Sequence, residues 1–228
     1  ILEGQLLFRR DGLLARQFRS PVLYNSEFRI PNSEFGRSPI NPNLKRYKPK
    51  EKDNIMTNEN AKTLAVRVVA RLLETGKTLA TAESCTGGLI AARVTDVPGC
   101  SAIFLGGCVT YTNEIKQKLL GGKAETLAAH TVYSAPVAAQ MAAGAAALAG
   151  AEYGVGITGI AGPTGGLPGI PVGTVFIAIH GPQGTFVRRA VWTNRSRQDV
   201  RIRAATAALD MLRRAVQNLP QPDAVRYA

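Results

Sequence analysis

The feature that most constrains the fold is a regular alternation of apolar, strand-like segments with amphipathic, helical ones over most of the chain. Apolar runs at 78–82, 103–110 and 153–158 are predicted as strands, and the run at 103–110 is expected to be buried because it is apolar and β-branched. Two further strands, 172–180 and 185–193, are joined by the turn GPQG. This pattern predicts an α/β fold, a three-layer α/β/α sandwich with a mixed sheet in a single domain.

Helices are predicted between these strands wherever apolar residues recur with a helical period. The segments are 61–74, 87–94, 113–120, 125–129, 134–149 and 198–217. Gly76 is expected to end the first helix, and Gly121 with Gly122 the third. Ser134 is expected to cap the fifth helix, because Pro136 fits the first turn that follows it.

Residues 1–55 differ from the rest of the chain. They contain the tetrapeptide NSEF twice, five prolines and the charged run KRYKPKEKDN, and no strand or helix period persists in them. They are predicted to be a disordered leader or a vector-derived segment, followed by one domain at 56–218 and a tail at 219–228. The alternative is a natural N-terminal extension that packs on the domain.

Composition narrows the class of protein. The net charge of +12 could indicate a polyanion partner, but residues 1–55 carry 11 of the 28 basic side chains and no basic stretch is interleaved with aromatics. Scattered solvated charge with a basic leader is the preferred interpretation, so nucleic acid is not an expected partner. No apolar run is long enough to span a bilayer, and the three cysteines lack metal-type spacing, which favours a reduced, cytoplasmic protein without a metal site.

The stretch TAESCTGG places an acid, two hydroxyl groups and a thiol where a predicted strand meets a predicted helix. Ligands of α/β domains bind at the carboxyl ends of strands, and the N–H groups that begin a helix attract anions. Ser84 could therefore be a nucleophile beside an oxyanion site, with Gly87 and Gly88 allowing a close approach. The same residues equally fit a plain cap, in which Ser84 or Thr86 bonds the first turn and Glu83 faces the helix dipole.

A serine nucleophile needs a base, and this chain has only two histidines. His130 is interpreted as structural and His180 as a surface residue. A lysine whose pKa is lowered by burial is the alternative base. Lys116 is the candidate because VTYTNEIK leads from a strand end directly to it, although a solvent-facing helix lysine explains the same pattern.

Two later segments could contact a phosphate. GITGIAGPTGG follows a predicted strand, fits neither the dinucleotide fingerprint nor the P-loop, and could line a phosphate or ribose pocket or form an ordinary loop. TNRSRQDVRIR is dense in arginine at the start of the last helix. One or two of these arginines could clamp a phosphate, while the rest are solvated.

TAESCTGG, VTYTNEIKQKLLG, GITGIAGPTGG and PVGTV resemble, in this order, the motifs of the CinA C-terminal domain family, whose members are nicotinamide-nucleotide amidohydrolases, or NMN deamidases. The resemblance covers about residues 62–216. It implies a three-layer α/β/α domain, usually a homodimer, that hydrolyses the carboxamide of nicotinamide mononucleotide (NMN) to nicotinate mononucleotide and ammonia in pyridine nucleotide salvage. It implies no metal and no cofactor.

The resemblance also assigns roles by motif position. Ser84 resembles the nucleophilic serine, Lys116 the lysine of a Y-x-N-E-x-K motif and hence the general base, and Tyr111 a catalytic-site tyrosine of the same motif. The remaining positions are expected to bind substrate, and Arg197 among them resembles an arginine that could hold the phosphate. They are Thr86, Gly87, Gly88, Ser101, Thr158, Gly159 and Arg197.

The chain departs from the family pattern at several positions. Cys100 replaces the first serine of P-G-S-S, Ile170 stands where a lysine often precedes P-V-G-T-V, and HTVYS replaces the commoner H-G-A-V-S. Asn194-Arg195-Ser196 replaces the usual residues before Arg197. The alternative function is therefore a competence- or DNA-damage-associated module that binds a nucleotide phosphate without turnover.

Overall fold

A computed structural model describes residues 58–121 and 124–227 of the chain, and the predicted leader at 1–55 lies outside these residues. Within the described ranges, helices and strands alternate as the sequence pattern predicts, and most predicted elements are confirmed within two residues at each end. In chain order the elements are α1 (Asn58–Thr75), β1 (Leu79–Glu83), α2 (Leu89–Thr95), β2 (Phe104–Val109), α3 (Asn113–Leu120), α4 (Ala124–Ala129), α5 (Ala135–Ala149), β3 (Tyr153–Gly159), β4 (Thr174–Gly181), β5 (Gly184–Val191), α6 (Arg197–Val216) and β6 (Ala224–Tyr227).

The strands form one mixed sheet in the order β2-β1-β3-β4-β5-β6. β1 lies between β2 and β3 and is parallel to both, whereas the pairs β3–β4, β4–β5 and β5–β6 are antiparallel. The carboxyl ends of β1, β2 and β3 consequently meet at one edge of the sheet. Thr174 pairs with Val191, so β5 also ends at this edge and α6 begins beside it.

One face of the sheet is covered by α1, α2 and α6. Alternate strand residues point into this layer, because successive side chains of a strand face opposite sides of the sheet. Val155 and Ile157 of β3 are fully buried there against residues of α1 and α6. The inward face predicted for α6 is confirmed, with Val200, Ala204, Ala207, Ala208, Met211 and Leu212 all buried.

The other face of the sheet is covered by α3, α4 and α5. Small residues here set the distance between β3 and α5. The intervening residues of β3 are Gly154 and Gly156, and α5 is composed mainly of alanine. A Cβ on Gly156 would overlap the Ala138 carbonyl and the backbone of Ala142. The helix backbone therefore lies directly on the strand. Together the two layers of helices confirm the predicted three-layer α/β/α sandwich with a mixed sheet.

β2 is not the buried strand that its composition predicts. Its residues alternate between half-buried and exposed, and Leu105 and Val109 are 47% and 50% exposed. The reason is its place in the strand order: β2 is an edge strand whose only neighbour in the described sheet is β1. An apolar run predicts a strand, but it does not predict whether that strand lies at the centre or at the edge of the sheet.

Other differences concern the ends of elements. α2 begins at Leu89, after the predicted start, because Gly87 and Gly88 both adopt left-handed backbone angles. Ser134 occupies the cap position of α5 as predicted, but its hydroxyl makes no cap hydrogen bond. The segment 219–228, predicted as a tail, contains the strand β6, which pairs with β5 and has no predicted counterpart. None of the helices in the described ranges has the length and apolar character needed to cross a bilayer.

The close contact between α5 and β3 can be tested with Gly156→Ala. The added methyl group meets helix backbone rather than a flexible side chain, so we expect the free energy of unfolding to fall by about 1–3 kcal/mol or more. Gly106→Ala, on β2, is the matched control because a Cβ there meets nothing within 4 Å. Urea denaturation measures both, and equal effects of the two substitutions would contradict the packing described.

Candidate active site

Ser84 lies at the carboxyl end of the central parallel strand. It follows the last residue of β1, and its N–H donates to the Ile157 carbonyl of β3 at 3.0 Å. Its own carbonyl accepts from the Gly87 N–H at 3.1 Å, so the chain turns tightly after the serine. Ser84 is buried and has the ends of β2 and β3 on either side.

Lys116 lies on α3, the helix that follows β2, and its side chain reaches Ser84. After β2 the chain enters α3 within a few residues, and the Thr112 side chain caps this helix by accepting from the Ile115 N–H. Lys116 Nζ lies 3.4 Å from Ser84 Oγ and donates to the Thr110 carbonyl at 2.6 Å. Only 2% of the lysine is exposed, so the solvent-facing alternative left open by the sequence is wrong.

The surroundings of Lys116 favour its neutral form. Burial lowers the pKa of the Lys116 amine below its ordinary value, because a charged ammonium loses its hydration there. The negative charge of Glu114, and that of Cys85 when its thiol is ionised, act in the opposite direction but have smaller effects. A neutral amine beside a serine hydroxyl can accept that hydroxyl's proton, and this is the property required of a general base.

Glu83 fixes the loop that carries Ser84. Its carboxylate is buried and accepts hydrogen bonds from the Ile90 N–H at 3.0 Å and the Ala91 N–H at 2.8 Å. Two of the N–H groups at the start of α2 are therefore occupied and cannot serve a substrate. Because Glu83 immediately precedes Ser84, these bonds tie Ser84 to the start of the helix.

The loop between Ser84 and α2 retains other donors. The N–H groups of Thr86 and Gly88 meet no acceptor among the residues that the structure describes. They are the groups available to stabilise negative charge beside Ser84. The Thr86 hydroxyl is buried and has no partner in the described ranges, so it does not act as a helix cap. Gly88 occupies the cap position of α2 instead.

Cys85 is next to Ser84 in the chain but is not a competing nucleophile. Burial raises the pKa of its thiol to about 12, and the negative charge of Glu83 acts in the same direction. The positive charges of Arg197 and Arg201 favour the thiolate but do not offset the burial. The thiol therefore stays protonated at neutral pH, whereas thiolate is the reactive form of cysteine.

Arg197 connects three parts of the site. It is the first residue of α6, and its guanidinium donates to the Gly162 carbonyl at 2.9 Å and to the Tyr111 hydroxyl at 3.1 Å. Tyr111 itself is 60% exposed. The nearby carboxylate of Asp199 pairs with Arg195 and Arg203 and not with Arg197. Arg197 thus presents a positive charge beside the glycine-rich loop.

Thr158 and Gly159 lie at the carboxyl end of β3, at the same edge as Ser84. The buried Thr158 hydroxyl donates to the Val132 carbonyl at 2.9 Å and so joins β3 to the segment between α4 and α5. Gly159 lies close to the backbone of β4, since an added Cβ would meet Thr174 and Val175 at 2.5–2.7 Å. Thr158 and Gly159 thus contact other parts of the protein at the carboxyl edge of the sheet.

Ser101 is the one predicted site residue that is not brought to this edge. It precedes β2, which is parallel to β1, and is therefore at the opposite end of the strand from Ser84. A six-residue strand spans roughly 20 Å, so Ser101 is distant from Ser84 within the same chain.

The structure adds Arg201, for which the sequence analysis proposes no individual role. Arg201 donates from Nη2 to the Thr86 carbonyl at 2.8 Å. The signal that could have identified it is its spacing, since Arg197 and Arg201 are four residues apart and share one face of α6. No group of three or more histidine, cysteine, aspartate or glutamate side chains in the described ranges is arranged to hold a metal ion.

A concavity lies away from Ser84, between α4, α5 and the strands β5 and β6. Its lining includes Glu125, His130, Gln140 and Tyr227, and none of the predicted site residues. The Ser84–Lys116 pair therefore lies outside this concavity.

The fold and the site define a class of protein: an α/β/α domain with a buried lysine beside a serine at the carboxyl edge of its sheet. The profile of the CinA C-terminal domain matches residues 61–216, and the chain belongs to this family. It is similar to the CinA-like protein of Mycolicibacterium gilvum (strain PYR-GCK), with 46% identity over 184 residues that cover 75% of this chain and 43% of that protein.

Two further comparisons agree with this assignment. The CinA-like protein of Anaeromyxobacter sp. (strain K) is 52% identical over 151 residues, 66% of this chain and 36% of that protein. The chain thus spans less than half the length of these two relatives. The crystal structure of the competence/damage inducible protein CihA from Agrobacterium tumefaciens matches with a TM-score of 0.67 and 36% identity, covering 73% of this chain and 99% of that one.

The role of Glu83 in fixing the loop can be tested with Glu83→Gln. The amide keeps one acceptor oxygen but turns an NH2 group toward a backbone N–H, so we expect a loss of about 1–3 kcal/mol in the free energy of unfolding. Asp96→Asn is the control, because Asp96 makes an exposed ion pair with Arg93 and its loss should cost at most about 1 kcal/mol. If urea denaturation shows similar losses for both, Glu83 does not hold the loop.

Proposed function

We propose that this domain hydrolyses the carboxamide of NMN to nicotinate mononucleotide and ammonia, with Ser84 as nucleophile and Lys116 as general base. The observation that carries this proposal is the buried pair itself, with Lys116 Nζ 3.4 Å from Ser84 Oγ and a lysine pKa lowered by burial. The resemblance to the CinA C-terminal domain family supplies the substrate. The name of the Agrobacterium tumefaciens protein refers to competence and damage, and none of the three names reported above specifies a reaction.

In the first half of the reaction, Ser84 Oγ attacks the carboxamide carbon while its proton passes to Lys116 Nζ. The carbonyl oxygen becomes an oxyanion, and the free N–H groups of the loop after Ser84 are the donors available to it. When the carbon–nitrogen bond breaks, Lys116 returns the proton to the leaving nitrogen, which departs as ammonia. The nicotinoyl group is then an ester on Ser84.

In the second half, water attacks this ester, and Lys116 accepts a proton from the water and delivers it to Ser84 Oγ as the ester bond breaks. Nicotinate mononucleotide and the free enzyme result, so all atoms balance without an added reactant. The substrate phosphate would bind the guanidinium of Arg197, which has no carboxylate partner among the described residues. Tyr111 orients that guanidinium.

Ammonia release from NMN by the full chain tests the proposal. We expect Ser84→Ala to lower kcat by on the order of 10⁴-fold or more, and Lys116→Met, which keeps the packing volume, by about 10²–10⁴-fold. Lys118→Met is the control, because Lys118 is an exposed residue of the same helix. Full activity of Ser84→Ala would overturn the nucleophile, and thermal stabilisation of the wild type by NMN without ammonia release would favour the binding module.

The pH dependence of kcat/KM tests the lysine base separately. The neutral amine is the active form, so the rate should rise with pH and level off above the pKa of Lys116. Because burial lowers this pKa, the midpoint should lie below about 10.4, the ordinary value for lysine. Lys118→Met should keep the rise, whereas Lys116→Arg should be inactive because a guanidinium stays protonated. A rate that is flat between about pH 6 and pH 10 would contradict a lysine base.

A further inference from the structure

The peptide unit between Thr86 and Gly87 is held at both ends. Its N–H, on Gly87, donates to the Ser84 carbonyl at 3.1 Å. Its carbonyl, on Thr86, accepts from Arg201 Nη2 at 2.8 Å. The first bond is local to the turn, while the second joins the loop to α6, which is distant in the sequence.

This peptide unit is one that could easily rotate. Gly87 has φ of +61°, and glycine adopts positive and negative φ at similar cost, so a rotation that exchanges the positions of the C=O and N–H groups meets little steric resistance. Such a rotation would turn a carbonyl oxygen toward the side that the N–H now faces. A carbonyl dipole near Ser84 would repel the oxyanion that the free N–H groups of the loop stabilise.

We propose that Arg201 is a positioning residue, which holds the Thr86–Gly87 peptide in one orientation and thereby keeps the loop after Ser84 ready for catalysis. This inference rests on the proposed function for its catalytic consequence. The bond is charge-assisted, and Arg201 is partly buried, so it is stronger than a neutral hydrogen bond at the surface. Asp199 forms its ion pairs with Arg195 and Arg203, whereas Arg201 bonds the Thr86 carbonyl of the loop.

Arg197 and Arg201 therefore have different tasks although they lie one turn apart. Arg197 contacts the Tyr111 hydroxyl and the Gly162 carbonyl, and it is the residue proposed to meet the phosphate. Arg201 contacts the backbone of the loop that carries the nucleophile. Loss of a phosphate contact raises KM for substrates with a phosphate, whereas loss of loop positioning lowers kcat whether or not the phosphate is present.

Kinetics of Arg201→Met separate these two roles. With NMN, and with nicotinamide riboside as the same amide without the phosphate, we expect kcat to fall by about 10²-fold and KM to change less than threefold. Arg201→Lys should restore part of kcat, because it keeps a charged donor. Arg203→Met is the control and should resemble the wild type, since Arg203 bonds Asp199 and not the loop. A loss that appears in KM and only with NMN, or no loss at all, would overturn the inference.

Hydrogen exchange gives a second measurement that needs no substrate. In Arg201→Met the Gly87 amide should exchange at least about tenfold faster than in the wild type, while the thermal unfolding midpoint and the exchange of α5 amides stay unchanged. Arg203→Met should leave the Gly87 amide as it is. If the wild type releases no ammonia from NMN, the proposed function fails but exchange still decides whether Arg201 holds the loop. If the Gly87 amide exchanges at the same rate in Arg201→Met as in the wild type, Arg201 does not hold the loop.

Discussion

The parallel pairing of β1 with both of its neighbours is the constraint on which the site depends. It brings the carboxyl ends of β1, β2 and β3 to one edge, so residues that follow three separate strands become neighbours. The antiparallel hairpin β4–β5 then returns the chain to the same edge, where α6 begins with Arg197. A serine, a lysine, a glycine-rich loop and two arginines converge although more than a hundred residues separate the first from the last.

The same arrangement buries Lys116, and this burial changes the pKa of its amine. A lysine without water loses the hydration of its ammonium, and the Thr110 carbonyl at 2.6 Å replaces only part of it. The result is an amine with a lowered pKa within reach of Ser84. The backbone that ends β2 therefore orients the lysine at a buried position, and the function proposed for the pair depends on this place in the fold.

Much of the fold and the central pair could be predicted from local patterns. The ends of α3 follow from a capping threonine and a terminating glycine, and the proximity of Ser84 and Lys116 follows from the rule that parallel strand ends share an edge. What could not be predicted depends on long-range order. The edge position of β2 and the pairing of β6 are set by strand order, which an apolar run does not encode. The bond of Arg201 to the Thr86 carbonyl is also long-range, and only the four-residue spacing from Arg197 indicates it, whereas the place of Glu83 at the start of α2 is predicted.

The raised pKa of Cys85 has a consequence beyond the choice of nucleophile. Alkylating agents and peroxides attack thiolates, and a buried thiol with a pKa of about 12 is almost entirely protonated in a cell. The thiol next to Ser84 therefore reacts poorly with such reagents. Cys85 itself thus adds little redox sensitivity to the loop that carries Ser84.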